Sequence, residues 1–159
     1  MLTGLMRNKK KGLETAPILS YKGERMDIQV STGTREFNLG GKVIIYFNPT
    51  DVTFLDRMRN TFAEMQKQQE AIAEEISNAD DVFEACKRID ADMREKLNSI
   101  FAKDIVTPLI GDMNVYALAD GLPIWANILT AIMKTIEDCV EEERSKSEAK
   151  IKEYTEKYD

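Results

Sequence analysis

"NPTDVTFLDRMRNTFAEMQKQQEAIAEEIS", Asn48 to Ser77, decides the fold. Pro49 has no N–H to give to a β-ladder, so it closes whatever strand precedes it. Thr50 or Asp51 then offers a side-chain oxygen to the free N–H groups of a helix start. Beyond them Leu55, Met58, Phe62, Met65, Ile72 and Ile76 return at alternating steps of three and four, with Gln69 in the remaining place. Such steps gather side chains on one face only if the backbone is an α-helix. The other positions are mostly Glu, Lys, Gln and Arg. A helix over residues 50–78 is expected, with a stripe that must find a neighbour.

Upstream the period changes from 3.6 to two. "MDIQVS" alternates Ile28 and Val30 with polar residues, "TREFNL" sets Phe37 and Leu39 on one side, and "KVIIYF" is rich in β-branched and aromatic residues. "TGT" separates the first two runs and Gly40-Gly41 the last two. Paired glycines suit a two-residue turn that needs positive φ. A three-stranded antiparallel meander over residues 26–47 is expected. No GxxxxGK[ST] or GxGxxG pattern surrounds Gly40-Gly41, so the pair reads as a turn rather than a phosphate loop.

Downstream, Asn78 or Asp80 can cap a second helix, residues 80–103. Val82, Cys86, Ile89, Met93, Leu97 and Ile100 would form its buried stripe. Pro108 disfavours helix at Thr107. In the corner that follows, Gly111 fits a turn, Asp112 a cap, and residues 112–119 a short helix ended by Gly121. Pro123 suits the first turn of a last helix, residues 122–158. Trp125, Ile128, Leu129, Ile132, Met133, Ile136 and Val140 give that helix a broad apolar first half. Its second half is nearly all charge, with Glu142/Lys146, Glu148/Lys152 and Glu153/Lys157 spaced to support an exposed helix. Ile151, Tyr154 and Tyr158 return to one face, enough for a rod in solvent or one docked on another chain. The fold class is therefore mainly α (α+β): an N-terminal meander, then a three-helix bundle with a long, charged C-terminal helix. Residues 1–25 form a basic arm or linker and residues 26–159 a single domain.

The chain has 159 residues and a net charge of −6, with 43% apolar and 31% charged residues, a globular composition. Residues 1–25 carry six bases and two acids, so the remainder holds −10. A body this acidic repels phosphates, which leaves the basic arm as the one segment suited to nucleic acid or an acidic protein. No apolar run approaches the roughly 20 residues of a membrane span. The N-terminus has positive charge without an apolar core after it, so no secretory signal is expected. Cys86 and Cys139 have no metal-site spacing and are expected to be buried free thiols of a reducing cytoplasm.

There is no histidine, the commonest general base and metal ligand. Asp112 and Asp120 could pair as catalytic carboxylates, but no base, nucleophile or ligand accompanies them, and structural duties account for both. Asp90 with Asp92, and Glu141–Glu143, are expected on solvated faces. No enzyme, cofactor or metal site is expected. Methionine adapts to varied apolar partners, and the chain has eight. Met58, Met65, Trp125 and Met133 are the candidate partner contacts, and the excess of apolar face suggests a homo-oligomer.

Three stretches carry a family resemblance: "REFNLGGKVIIYFNPTDVTFLDRMRNTF", "LNSIFAKDIVTPLIGDMNVYALADGLPIW" and "EEERSKSEAKIKEYTEKY". Across residues 34–158 the chain resembles the small, mostly helical tail-assembly-chaperone-like proteins of long-tailed phages and prophages of Gram-positive bacteria. The resemblance implies a non-enzymatic role, keeping an apolar helical tape-measure protein soluble in the host cytoplasm until the tail tube forms. It supplies no catalytic residues. The basic arm departs from the family pattern and leaves open a structural or adaptor role within the tail or virion.

Overall fold

The structure is a computed structural model and describes residues 23–158. The chain divides into two units, Met1–Val30 and Ser31–Asp159. Most of the basic arm lies outside the described residues. In the first unit, Gly23–Val30 forms no strand, and Met26, Ile28 and Val30 are 83%, 86% and 73% exposed.

The second unit holds every helix and strand described. Strand β1 (Arg35–Leu39) pairs antiparallel with β2 (Val43–Phe47), Leu39 opposite Val43 and Arg35 opposite Phe47. The sheet therefore has two strands, where three were expected. Ile28 and Val30 have the right alternation, but alternation does not provide a partner edge. Just before β1, Gly33 turns the chain at φ +74° and Thr32 gives its carbonyl to the Asn48 side-chain amide at 2.8 Å. Gly40 and Gly41 make the expected turn, with φ of +61° and +70° and Lys42 N–H donating to Leu39 O at 3.0 Å.

Helix α1 (Val52–Ser77) starts at Asp51, whose carboxylate accepts from Thr53 N–H at 3.0 Å. Helix α2 (Val82–Ser99) is capped by Asp81, accepting from Glu84 N–H at 3.1 Å, rather than by Asn78 or Asp80. It stops four residues short of the expected Lys103, and Ala102 turns the chain away at φ +54°. Its stripe begins with buried Ala85 in place of Val82, which is 45% exposed, and continues through Ile89, Met93 and Leu97 to Ile100. The two helices run antiparallel, tied by Gln68–Asp92, Lys96–Gln68 and Arg88–Glu75.

The corner departs most from expectation. The expected helix at 112–119 is absent. Helix α3 instead occupies Val106–Ile110, with Pro108 inside it. Pro108 stands in the first turn, where backbone N–H groups have no helical partner, so its missing donor costs nothing. The N–H groups ahead of it are taken by side chains: Asn98 accepts from Ile105 at 2.8 Å, and Asp104 from Val106 and Thr107, both at 3.1 Å. Side-chain and backbone hydrogen bonds from Thr107 hold the Asp104 carboxyl below the ordinary carboxylate range. The chain then forms a small hairpin, β3 (Leu118–Ala119) with β4 (Leu122–Pro123). Asp120 and Gly121 fill its turn at φ +54° and +82°, an Asp-Gly primed turn.

Helix α4 (Ile124–Tyr158) begins directly after Pro123. Trp125, Ile128, Leu129, Ile132, Ile136 and Cys139 are buried. From Arg144 to Tyr158 every residue is exposed. The expected ion pairs along that tail are displaced at its start: Glu142 pairs with Arg35 at 3.1 Å, and Lys146 with Glu143 at 3.6 Å.

The core of this unit is one cluster. The sheet's apolar face and the first half of α4 close on each other, while Met58, Met65, Met93 and Leu97 join α1 to α2. Phe37, Phe47 and Phe54 stack in series at 4.5 and 4.4 Å, linking sheet to helix, and Phe101 tilts against Phe54 at 5.7 Å. Cys86 and Cys139 are free thiols, the first half-buried and the second buried.

Candidate functional site

Helix α1 and the first half of α4 pack against each other but not over their full width. Leu55, Met58 and Phe62 of α1 and Leu129, Met133, Ile136 and Val140 of α4 line a groove of about 680 Å³. Two other hollows, of about 230 and 530 Å³, are smaller. The groove's position follows from the two stripes. Each spans more of its helix than one neighbour covers, so an apolar margin is left along the seam. Arg59, Gln66, Glu137 and Glu141 stand at the rim.

The four candidate contact residues divide in two. Met58 lies at the floor of the groove, 1% exposed, and Met133 at its edge, 36% exposed. Met65 and Trp125 are core residues, 0% and 2% exposed. Trp125 serves the groove from behind: its ring meets Phe62 edge to face at 5.2 Å. Its indole N–H donates to Gln69 at 3.0 Å. That bond explains the one polar residue in the α1 stripe, because a buried indole needs an acceptor.

The corner between Pro108 and Trp125, with two prolines, two glycines and the acids Asp112 and Asp120, is pinned structure. Arg94 of α2 donates to Asp90 at 2.9 Å, to Gly111 O at 2.6 Å and to Met113 O at 2.7 Å. Asp90 also accepts from Val115 N–H at 2.8 Å. Trp125 N–H donates to Val115 O at 3.0 Å, so the corner is held from both sides. Asp90 was expected on a solvated face; its side chain is only 17% exposed and organises the corner. The Tyr116 hydroxyl donates to Cys86 O at 3.1 Å, and burial, together with the neighbouring Cys86 side chain and Asp90, pushes its pKa up to about 12. The Glu141–Glu143 acids are likewise engaged: Arg35 binds Glu142 and Glu143, and Arg144 binds Glu141. Asp92 accepts from Gln68 and Lys96, which lowers its pKa.

Among the described residues no three His, Cys, Asp or Glu side chains cluster as a metal site, and no helix is long and apolar enough to cross a membrane. What the surface offers chemically is a long, apolar, methionine-edged groove with a thin polar rim. Sequence reasoning found its methionines but not its other lining residues as a site, because Leu55, Phe62 and Val140 read as ordinary stripe members. Compared with known proteins, the chain has no significant match to a family model, a curated protein or a solved structure.

Proposed function

We propose that this chain is a non-enzymatic assembly chaperone of the phage-tail type, holding apolar helical segments of a tape-measure protein in the α1–α4 groove while both are in the host cytoplasm. The observation that carries the reading is the groove itself, with Met58 at its floor and Met133 at its edge. A client helix would present apolar residues at i, i+3, i+4 and i+7 to it. Methionine's unbranched chain and polarizable sulfur let one groove accept many such sequences. The contact is small, a few side chains deep, which suits a client that must later be released.

Co-expression with tape-measure fragments tests this. Fragments with an apolar helical stripe should become soluble, and Met133→Ser should weaken the effect while the protein stays folded. Binding should change little between low and moderate salt. A folded protein that solubilises no fragment sinks the proposal. A second reading, a structural or adaptor component of the tail, draws on the exposed second half of α4, which offers a docking element apart from the groove. Mass spectrometry of purified particles separates the two: a chaperone is absent, a structural protein present in fixed copy number.

A further inference from the structure

The exposed end of α4 is not uniformly polar. Ile151, Tyr154 and Tyr158 are 62%, 60% and 73% exposed, and the two tyrosine rings stack at 6.3 Å. Followed back along the helix, Leu129, Met133, Ile136, Val140, Arg144, Ser147, Ile151, Tyr154 and Tyr158 recur at steps of three and four. At 100° per residue they share one face. The stripe that forms the α4 wall of the groove therefore continues, uncovered, to the end of the helix.

We propose that the groove of one copy receives the α4 tail of a second copy, and that the exchange is reciprocal. An antiparallel α4–α4 pairing about a two-fold axis near Glu142 sets Ile151 level with Met133 of the other copy, and Tyr154 level with Leu129 and Thr130. Both grooves are then filled by one symmetric contact, as an isologous dimer requires. Charge does not oppose the same occupant. Residues 144–158 hold five bases and three acids, a surplus of two positive charges, whereas residues 31–143 hold eleven bases and twenty-one acids. Arg144 and Lys146 of that surplus pair with Glu141 and Glu143 of their own chain, so residues 147–158 form a charge-balanced segment, three bases against three acids, which the strongly negative body and Glu137 at the rim do not repel. The acids nearest the axis do not forbid the approach, because Arg144, Arg35 and Lys146 of the same chain pair with Glu141, Glu142 and Glu143. Three large side chains bring on the order of 300–400 Å² per tail. With the matching groove surface, two arms reach about 1,400 Å², the size of a standard specific interface.

The inference shares with the proposed function the premise that the groove accepts a helix; it does not depend on which protein is the client. Light scattering of the full chain at about 100 µM, a concentration at which even a micromolar complex is formed, should give twice 18.1 kDa. Ile151→Glu and Met133→Glu, both at exposed positions, should each weaken the dimer at least tenfold. Their circular dichroism at low concentration should match the parent's. Met133→Cys combined with Ile151→Cys should yield a disulfide-linked dimer, while the parent chain, with only Cys86 and Cys139, should not. Within one chain these two positions are 18 residues apart on one helix, about 27 Å, far beyond the roughly 7 Å that a disulfide spans. A monomer at that concentration, a dimer indifferent to both glutamate substitutions, or failure of the cysteine pair to cross-link overturns the proposal. A monomer that still solubilises tape-measure fragments would remove the dimer and leave the chaperone reading intact; a dimer that solubilises none would do the reverse.

Discussion

Replacing Arg94 by Leu tests whether the corner between α3 and α4 is pinned as described. The guanidinium serves Asp90, the carbonyls of Gly111 and Met113, and the Thr107 hydroxyl at 3.3 Å. A hydrogen bond to a charged group contributes about 1.5–3 kcal/mol, so four counted separately would reach roughly 6–12 kcal/mol. That sum overshoots. Asp90 and Arg94 keep 17% and 18% side-chain exposure, and water can reach the groups that Arg94 releases. A loss of about 2–3 kcal/mol is the reasonable expectation, between the small worth of an exposed pair and the larger cost of breaking a fully buried one. At this chain length it should lower the melting temperature by about 5–10 °C. Asp90→Asn keeps an acceptor for Val115 N–H but loses the ion pair, and should cost about 1–2 kcal/mol. Urea unfolding followed by Trp125 fluorescence reports both, since Trp125 N–H is bonded to Val115 in the same corner. The double variant should fall short of the sum by about 1 kcal/mol, the signature of a shared network. If Arg94→Leu costs under about 0.5 kcal/mol, or the pair is additive, the network does not hold the corner.

Tyr116 should ionise near pH 12, followed at 295 nm, and Tyr116→Phe should remove that step. Because its folded pKa lies above the ordinary value of 10, the stability it provides is complete below pH 10 and is lost as the pH rises towards 12. Met65→Ser, at a fully buried site, should cost about 3 kcal/mol or more in thermal unfolding, whereas Met133→Ser should stay within about 0.5 kcal/mol; equal costs would mean that the groove edge is core. Gly40→Ala should destabilise more than Gly41→Ala in the same assay. Both residues have positive φ, but a Cβ at Gly40 would stand 2.7 Å from Leu109 Cδ2, and at Gly41 it would meet nothing within 4 Å.

Much of this architecture was legible in the sequence. The steps from Leu55 to Ile76 and the Gly40-Gly41 turn are local signals, and the structure keeps them; the last helix starts two residues later than expected, because Leu122 and Pro123, read as its first turn, form a hairpin strand instead. What failed was decided elsewhere. Ile28 and Val30 carry a strand's alternation, but strand pairing needs a partner edge that no local pattern reveals. Pro108 was read as a barrier to helix; Asn98 and Asp104 reach forward to cap α3, which makes its first turn a suitable place for proline. "ADGLP" was read as a helix end, although Asp-Gly between apolar residues is itself a hairpin signal. Asp90 looked like a surface acid because its two principal partners, Arg94 and Val115, include one that lies twenty-five residues away. The groove belonged to this second class. Its residues were visible as two stripes, but a margin left uncovered between two helices appears only once they pack.

The long reach of α4 beyond its last buried residue, Cys139, has a thermodynamic consequence. A helical segment of about fifteen residues with no tertiary cover is marginal in water, because nucleation is costly and each added residue gains little. The tail is attached to a helix that is already nucleated, so its order propagates outward from Glu143 and weakens towards Tyr158. Amide protons along α4 should therefore exchange in a gradient, slow around Leu129 and fast near the end, rather than as one block. Whatever covers Ile151, Tyr154 and Tyr158 would flatten that gradient. The helicity of the tail then becomes a gauge of occupancy, readable by hydrogen exchange as the protein is diluted or a client is added.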